Sequence, residues 1–339
     1  MGLVIDITVY GCRSWRMGGW YYLSQRRYKP TREAPINISN RVTSIVMLLT
    51  VALFWGLNWP AVKFMMTELP PFTVRAVAFP TAALLLAVIA LLQGASLRPT
   101  KAERVPLLVS GVFVIFGFNM LTSLGQSLTE TSHAVIIAYT MPVMTAVLSA
   151  IFLKERVDSK IVAALVLSML GLVILASNDL LELIKHPAAS LVMLAAALSW
   201  SIGNVMIKAH PWQLAPAALA SWFFAISAML AWPVALIFED PLSLQWPSLA
   251  VKLTLVFHII CPMVICYLLW NVLLKRLPLT VAAISLLTAP IIGVLSSVVL
   301  LGDTLTWQKC ISLTLIVASI VVVQRPRGSS YPVTPISRS

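Results

Sequence analysis

Ala52-Leu53-Phe54-Trp55-Gly56-Leu57-Asn58-Trp59-Pro60-Ala61-Val62-Lys63 returns further along the chain as Ala197-Leu198-Ser199-Trp200-Ser201-Ile202-Gly203-Asn204-Val205-Met206-Ile207-Lys208. Ala, Leu, Trp and Lys recur at one offset of 145, and an Asn recurs one position out of step (Asn58, Asn204). Each copy opens a long, almost uncharged stretch. Two further landmarks repeat at an offset of 148: Pro142 with Pro290, and Glu155 with Asp303. Apolar helices resemble one another by composition alone, so the weight lies in the order and near-equal spacing of these landmarks. Self-similarity at a fixed offset describes a chain made of two like halves.

The 339 residues are 59% hydrophobic and 11% charged, with a mean hydropathy of +0.92. Soluble domains carry about 25% charged residues. The apolar residues gather in blocks about 20 long, the length that crosses a hydrocarbon core of about 30 Å. The composition therefore predicts a polytopic membrane protein. The net charge of +12 sits in loops and tails, where membrane topology explains it and nucleic-acid binding is not implied. Cys12, Cys261, Cys266 and Cys310 form no CxxC pair, and the last three read as small hydrophobes.

Ten spans are expected, at 44–65, 72–93, 105–126, 133–153, 160–177, 189–208, 216–238, 251–272, 280–301 and 306–323. With the N-terminus inside, 19 of the 24 Lys and Arg fall on the inner side, leaving Lys63, Arg75, Lys185, Lys252 and Lys309 outside. The positive-inside rule then places both termini in the cytoplasm. The expected organisation is a basic tail (1–43), one five-helix repeat (44–177), a second (189–323) and a C-terminal tail (324–339). Five spans per half oblige the halves to point in opposite directions, so the fold class is all-α with two inverted five-helix repeats. Residues 1–43 fit no targeting signal, and read either as a disordered cytoplasmic tail or as an over-long N-terminus.

Amides have no use on a lipid-facing surface, so polar stripes mark the interior. Asn119, Thr122, Ser123, Gln126 and Glu130 share one face of the third span. The first span offers Trp55, Asn58, Trp59 and Lys63, the sixth Trp200, Asn204 and Lys208, and the eighth Tyr267, Trp270 and Asn271. Tyr139, Pro142 and Pro290 join the candidates, because a proline removes an N–H and frees a carbonyl near the midplane. The competing reading is that such amides only bond neighbouring helices, for about 0.6 kcal/mol each. Lys63 and Arg75 lie near the outer boundary, where long stems snorkel to the headgroups or form a cationic outer vestibule. His258 and His133 are candidates for titration near neutral pH, against the commoner case of a buried neutral imidazole. No Asp or Glu lies mid-span, so a proton-coupling carboxylate is not expected.

The chain resembles the EamA family of the drug/metabolite transporter superfamily. Phe54-Trp55-Gly56-x-Asn58 and Lys63, Pro71 and Arg75, Ala138-x-x-Met141-Pro142-Val143, Leu153-x-Glu155-Arg156, Gly171-Leu172 and Thr288-Ala289-Pro290 carry the resemblance over about 42–325. Asp303 departs from it, where Glu is more usual. The resemblance implies ten helices, an inverted repeat, and export or uptake of small metabolites.

The expected function is alternating-access transport of a small polar or amphipathic metabolite, such as efflux of amino acids or related compounds across the inner or plasma membrane. The expected partners are that metabolite and the bilayer, with no nucleic acid and no cofactor or metal; a homodimer is left open. A nucleotide-sugar or phosphate-ester exchanger would want several deep Lys or Arg residues, which the spans lack. A membrane-embedded enzyme would need a reactive constellation, and neither an HExxH nor a GxSxG motif is present. A structural or signalling subunit would carry an interaction domain, and no loop is long enough for one. The first copy of the repeat, with its Trp-Gly-x-Asn-Trp-Pro cluster, is expected to contact substrate and the second to serve as its scaffold.

Overall fold

The structure, a computed structural model, describes residues 38–129, 131–175, 177, 187–242, 245–292 and 306–324. The chain divides after Val42, and the helices below build the unit Thr43–Ser339. Most of the basic N-terminal tail, Asp303 and the C-terminal tail lie outside the described residues.

Among the described residues seven helices are long and apolar enough to cross a membrane: α1 (Ile38–Met65), α2 (Pro71–Leu92), α3 (Arg104–Leu128), α4 (Ala134–Leu153), α6 (Pro187–Ala209), α7 (Pro216–Phe238) and α8 (Leu249–Arg276). Three more are apolar but shorter: α5 (Ser159–Leu175), α9 (Leu279–Ile292) and α10 (Trp307–Gln324). The sequence expects ten full spans, so the difference lies in these three. At 1.5 Å per residue the 17 residues of α5 rise about 26 Å, a little short of the hydrocarbon thickness, and the second half of the expected ninth span lies outside the described residues. Large apolar side chains such as Leu84, Leu91, Leu236 and Phe238 remain exposed on the helices, as suits a multi-pass membrane protein.

The helices begin where the sequence places prolines. Pro71, Pro187 and Pro216 open α2, α6 and α7, positions where the missing N–H costs nothing. The N–H groups left over at helix starts are capped by carboxylates from elsewhere in the chain. Glu239, beyond α7, accepts from the N–H groups of Phe72 and Thr73 at 2.8 and 2.6 Å. Glu103, beyond α2, accepts from Gln213 and Leu214 ahead of α7 at 2.7 and 3.1 Å. Glu155 accepts from Leu279 and Thr280 at the start of α9, and Glu68 from Ser248 at the start of α8. The helix dipole adds to each of these bonds. Glu155 reaches α9 because Lys154 takes the left-handed conformation at φ 55° and ends α4, a turn more often made by glycine.

Burial pushes the Glu103 carboxyl up, but hydrogen bonds from Thr100, Leu214 and Gln213 outweigh it and hold the group below its ordinary value of 4.5. A depressed carboxylate contributes its stability in full above that value and loses it as pH falls through the depressed one. Glu103→Gln is therefore expected to cost about 1 kcal/mol at pH 7 and to weaken the loss of thermal stability below pH 4.5. Unfolding midpoints of the two proteins across pH 3–7 check this.

α2 packs along α7, and α5 along α10. The first pair is pinned by Ser221 Oγ donating to the Ala83 carbonyl at 2.9 Å and by Phe79 against Phe224. α3, α4 and α8 each contain a π-helical segment, Val112–Gly117, Ser149–Leu153 and Ile259–Ile265, of the kind that often marks functional sites. α4 and α9 are each broken by a turn just ahead of their proline, at Tyr139–Thr140 and Leu286–Leu287, where the missing N–H of Pro142 and Pro290 weakens the helix, whereas Pro60, Pro80 and Pro233 lie inside unbroken helices.

Candidate functional site

The π segment of α8, the two proline breaks and the two tryptophans of the repeat surround one cavity of about 50 Å3, room for a few waters. α1 supplies Trp55, Asn58, Trp59 and Val62; α3 supplies Phe118, Asn119, Thr122 and Gln126. α8 adds His258, Pro262, Met263 and Tyr267, and single residues come from α2 (Arg75), α6 (Trp200) and α9 (Leu286), with Tyr139 and Met141 at the break in α4.

The aromatic wall is held by specific bonds. Trp55 Nε1 donates to the Pro262 carbonyl, within the π segment of α8, at 3.0 Å. Its ring meets Tyr267 edge-on at 5.2 Å and Trp270 at 5.5 Å. Trp200 lies 5.4 Å from the same Trp270, whose Nε1 donates to Asn204 Oδ1 at 2.6 Å. Asn204 in turn donates to the Trp200 carbonyl. The repeated tryptophans thus meet through Trp270, and the indole N–H groups of Trp55 and Trp270, costly if unpaired in an apolar interior, both find acceptors. Trp59 and Tyr139 close the far side, with ring centroids 6.4 Å apart.

The polar wall centres on Arg75, which is only 2% exposed. Its Nε donates to Ser123 Oγ at 2.8 Å, and Nη1 lies 2.9 Å from His258 Nε2. His258 Nδ1 is paired with Asn58 Oδ1 at 2.5 Å. An amide oxygen only accepts, so the proton sits on Nδ1 and Nε2 offers its lone pair to the arginine. Asn119 Nδ2 donates to the Ile115 carbonyl at 2.9 Å and to Tyr267 Oη at 3.4 Å. Gln126 Nε2 donates to the Trp59 carbonyl at 3.2 Å. Among the described residues no group of His, Cys, Asp and Glu could hold a metal ion, and the residues around the cavity offer binding groups rather than a nucleophile with its base.

The EamA-like transporter family matches residues 42–177 and again 187–325. The chain belongs to this family. A Salmonella typhimurium protein named "Probable amino-acid metabolite efflux pump" is 28% identical over 287 residues, 81% of this chain and 93% of its own. The Bacillus subtilis protein named "Uncharacterized transporter YoaV" is 23% identical over 274 residues, 80% of this chain and 94% of its own. A solved crystal structure superposes with a TM-score of 0.71 at 23% identity, covering 84% of this chain and 96% of that one. The last likeness concerns the fold alone. The names of the relatives describe transporters rather than enzymes.

In this EamA-like protein nine of the candidates drawn from sequence line the cavity: Trp55, Asn58, Trp59, Arg75, Asn119, Gln126, Tyr139, Trp200 and Tyr267. Ser123, Asn204 and Trp270 stand behind the wall and orient it. Pro142 and Pro290 are buried at the helix breaks. Asn271 is buried away from the cavity lining, with neither amide atom bonded among the described residues.

Two expectations are refined by the geometry. Arg75 is buried and does not snorkel. It lies a full turn inside α2 on the face turned towards α3 and α8, and its guanidinium bonds Ser123 and His258. Lys63 instead reaches the C-terminal end of α3, donating to the carbonyls of Gln126 and Thr129 at 2.6 and 3.2 Å. The second copy of the repeat also reaches the cavity, which Trp200 lines together with Trp55. His258 is the functional candidate that pattern reasoning valued least. Its mid-span position was visible, but its neighbours were not. The side chain of His133 lies outside the described residues.

Proposed function

We propose that the protein is a ten-helix carrier of two inverted five-helix repeats, with both termini cytoplasmic, which exports small amphipathic metabolites such as amino acids by alternating access. The observation that carries this reading is the central cavity, to which both halves contribute and in which apolar aromatic faces stand beside amides and one buried cation. The inverted relation draws support from bonds that recur across the repeat. Lys63 donates to the carbonyl 66 positions on, Thr129, and Lys208 to the carbonyl 66 positions on, Leu274. Ser199 on α6 donates to a carbonyl of the π segment in α3, and Trp55 on α1 to one in α8. Two halves joined through such bonds around a midplane site suit a rocking motion. The export direction and the amino-acid class lean on the name of the Salmonella relative. A phosphate-ester exchanger is disfavoured, because Arg75 is the only Lys or Arg among the residues that line the cavity.

Flux of a broad panel of amino acids and related metabolites in proteoliposomes tests the reading. Saturable flux of at least one solute class is expected, and folded protein that moves none of the panel overturns it.

A further inference from the structure

We propose that Arg75 is an anion-recognition residue which holds the carboxylate of a monoanionic solute against the aromatic wall of the cavity. The inference deepens the transport reading above and rests on the same cavity. A guanidinium has five N–H donors in a fixed planar fork and keeps its proton in proteins. Two of the five are committed, to Ser123 Oγ and to His258 Nε2. Three are left at a side chain that lines the cavity.

Neither partner neutralises the charge. Ser123 is a hydroxyl. His258 presents a lone pair because Asn58 Oδ1 takes the proton on its other nitrogen, so the imidazole is a neutral acceptor. The carboxylates that might have compensated are engaged elsewhere: Glu68, Glu103, Glu155 and Glu239 cap helix starts. Among the described residues none pairs with Arg75. A cation buried among the helices of a membrane protein is costly and as a rule marks a ligand or ion path. Ser123 and the His258–Asn58 pair fix the guanidinium in place, which is the arrangement a planar, bidentate carboxylate needs.

The rest of the wall narrows the ligand. Trp59, Tyr139, Trp200 and Tyr267 give it aromatic faces, which fit a flat or apolar body. Arg75 alone supplies the cationic group, which fits a single negative charge and not a phosphate dianion. The ligand class is thus an amphipathic monocarboxylate, with its acid group at the Arg75 side and its apolar body towards Trp59 and Tyr139.

The test uses the purified full chain in detergent and reads the shift of its thermal unfolding midpoint. The probes are acetate, 3-phenylpropionate and L-phenylalanine, each beside its primary amide, at constant ionic strength set with chloride. At least one aromatic acid is expected to act at a concentration about 100-fold below its amide. Arg75→Gln is expected to erase that preference and Arg75→Lys to keep part of it, since lysine retains the charge without the fork. Equal responses to acid and amide, no response to any probe, or a preference that survives in Arg75→Gln would each overturn the proposal. If Arg75→Gln does not fold, the acid-against-amide comparison on the wild type decides alone. The flux panel is scored separately. Flux without acid preference sinks the role of Arg75 and leaves transport standing, whereas acid-selective binding without flux does the reverse.

Discussion

Gly203→Val is expected to leave no folded protein after extraction. A Cβ at position 203 would sit 2.5 Å from the Val114 amide nitrogen, 2.7 Å from its Cβ and 2.8 Å from its Cα. Real side chains do not approach that closely, and the obstacle is backbone, which cannot rotate aside. The contact lies where α6 meets the π segment of α3, and Ser199 Oγ bonds the Phe113 carbonyl one turn away at 2.7 Å. Parting the helices to admit the side chain would break that bond and disturb the wall carrying Phe118 and Trp200. Small residues at such crossings let backbones approach, and overpacking costs about 1–3 kcal/mol or more; with three atoms in conflict the upper end is expected. Gly56→Ala meets one atom under 3.0 Å, the Ala289 carbonyl oxygen at 2.9 Å, and should lose less. The monodisperse fraction on size exclusion, for wild type and both variants, measures the order.

Trp55→Ala is expected to lower flux at least 100-fold while the protein still inserts. Insertion follows the summed hydropathy of the span, and α1 stays apolar without this ring. What is lost is the link between the halves: the bond to the Pro262 carbonyl and the packing on Tyr267 and Trp270. Truncating a large aromatic to Ala costs about 3–5 kcal/mol in a packed interior, much of it felt here as a collapsed or widened cavity. Trp55→Phe separates the two contributions. It keeps most of the ring and drops the N–H donor, so a loss of about tenfold is expected, one buried hydrogen bond being worth about 1 kcal/mol or somewhat more. Initial rates in proteoliposomes, normalised to inserted protein, provide the comparison. Wild-type rates in Trp55→Ala would remove this wall from the transport path.

The carboxylate caps show how a sequence signal can be right in place and silent in meaning. Glu155 stood out only as a landmark after the fourth span, yet its role is to cap α9, which begins 124 positions later at Leu279. Nothing local to Glu155 announces a partner so distant. The prolines are a mixed case. Pro142 and Pro290 stood out as landmarks within continuous expected spans, and a turn precedes each in α4 and α9, whereas Pro60, Pro80 and Pro233 lie inside unbroken helices.

Lys63 and Arg75 had the same description in one dimension: a long basic side chain a few residues from a span end. Lys63 satisfies carbonyls at the end of α3, while Arg75 turns inward to Ser123 and His258. The choice depends on how α2 is rotated about its axis. Its sequence is apolar on nearly every face apart from Arg75 and a few hydroxyls, so no periodicity states which face meets the bundle.

By itself the sequence determined what composition and covalent geometry govern: apolar helices of membrane length, the doubled Trp…Lys segment, and the polar stripe of α3. Tertiary structure decided which of those polar groups meet. The pairing of Arg75 with His258 spans 183 positions and that of Trp55 with Pro262 spans 207. Such contacts depend on helix rotation and packing across the whole bundle, which no local window of residues contains.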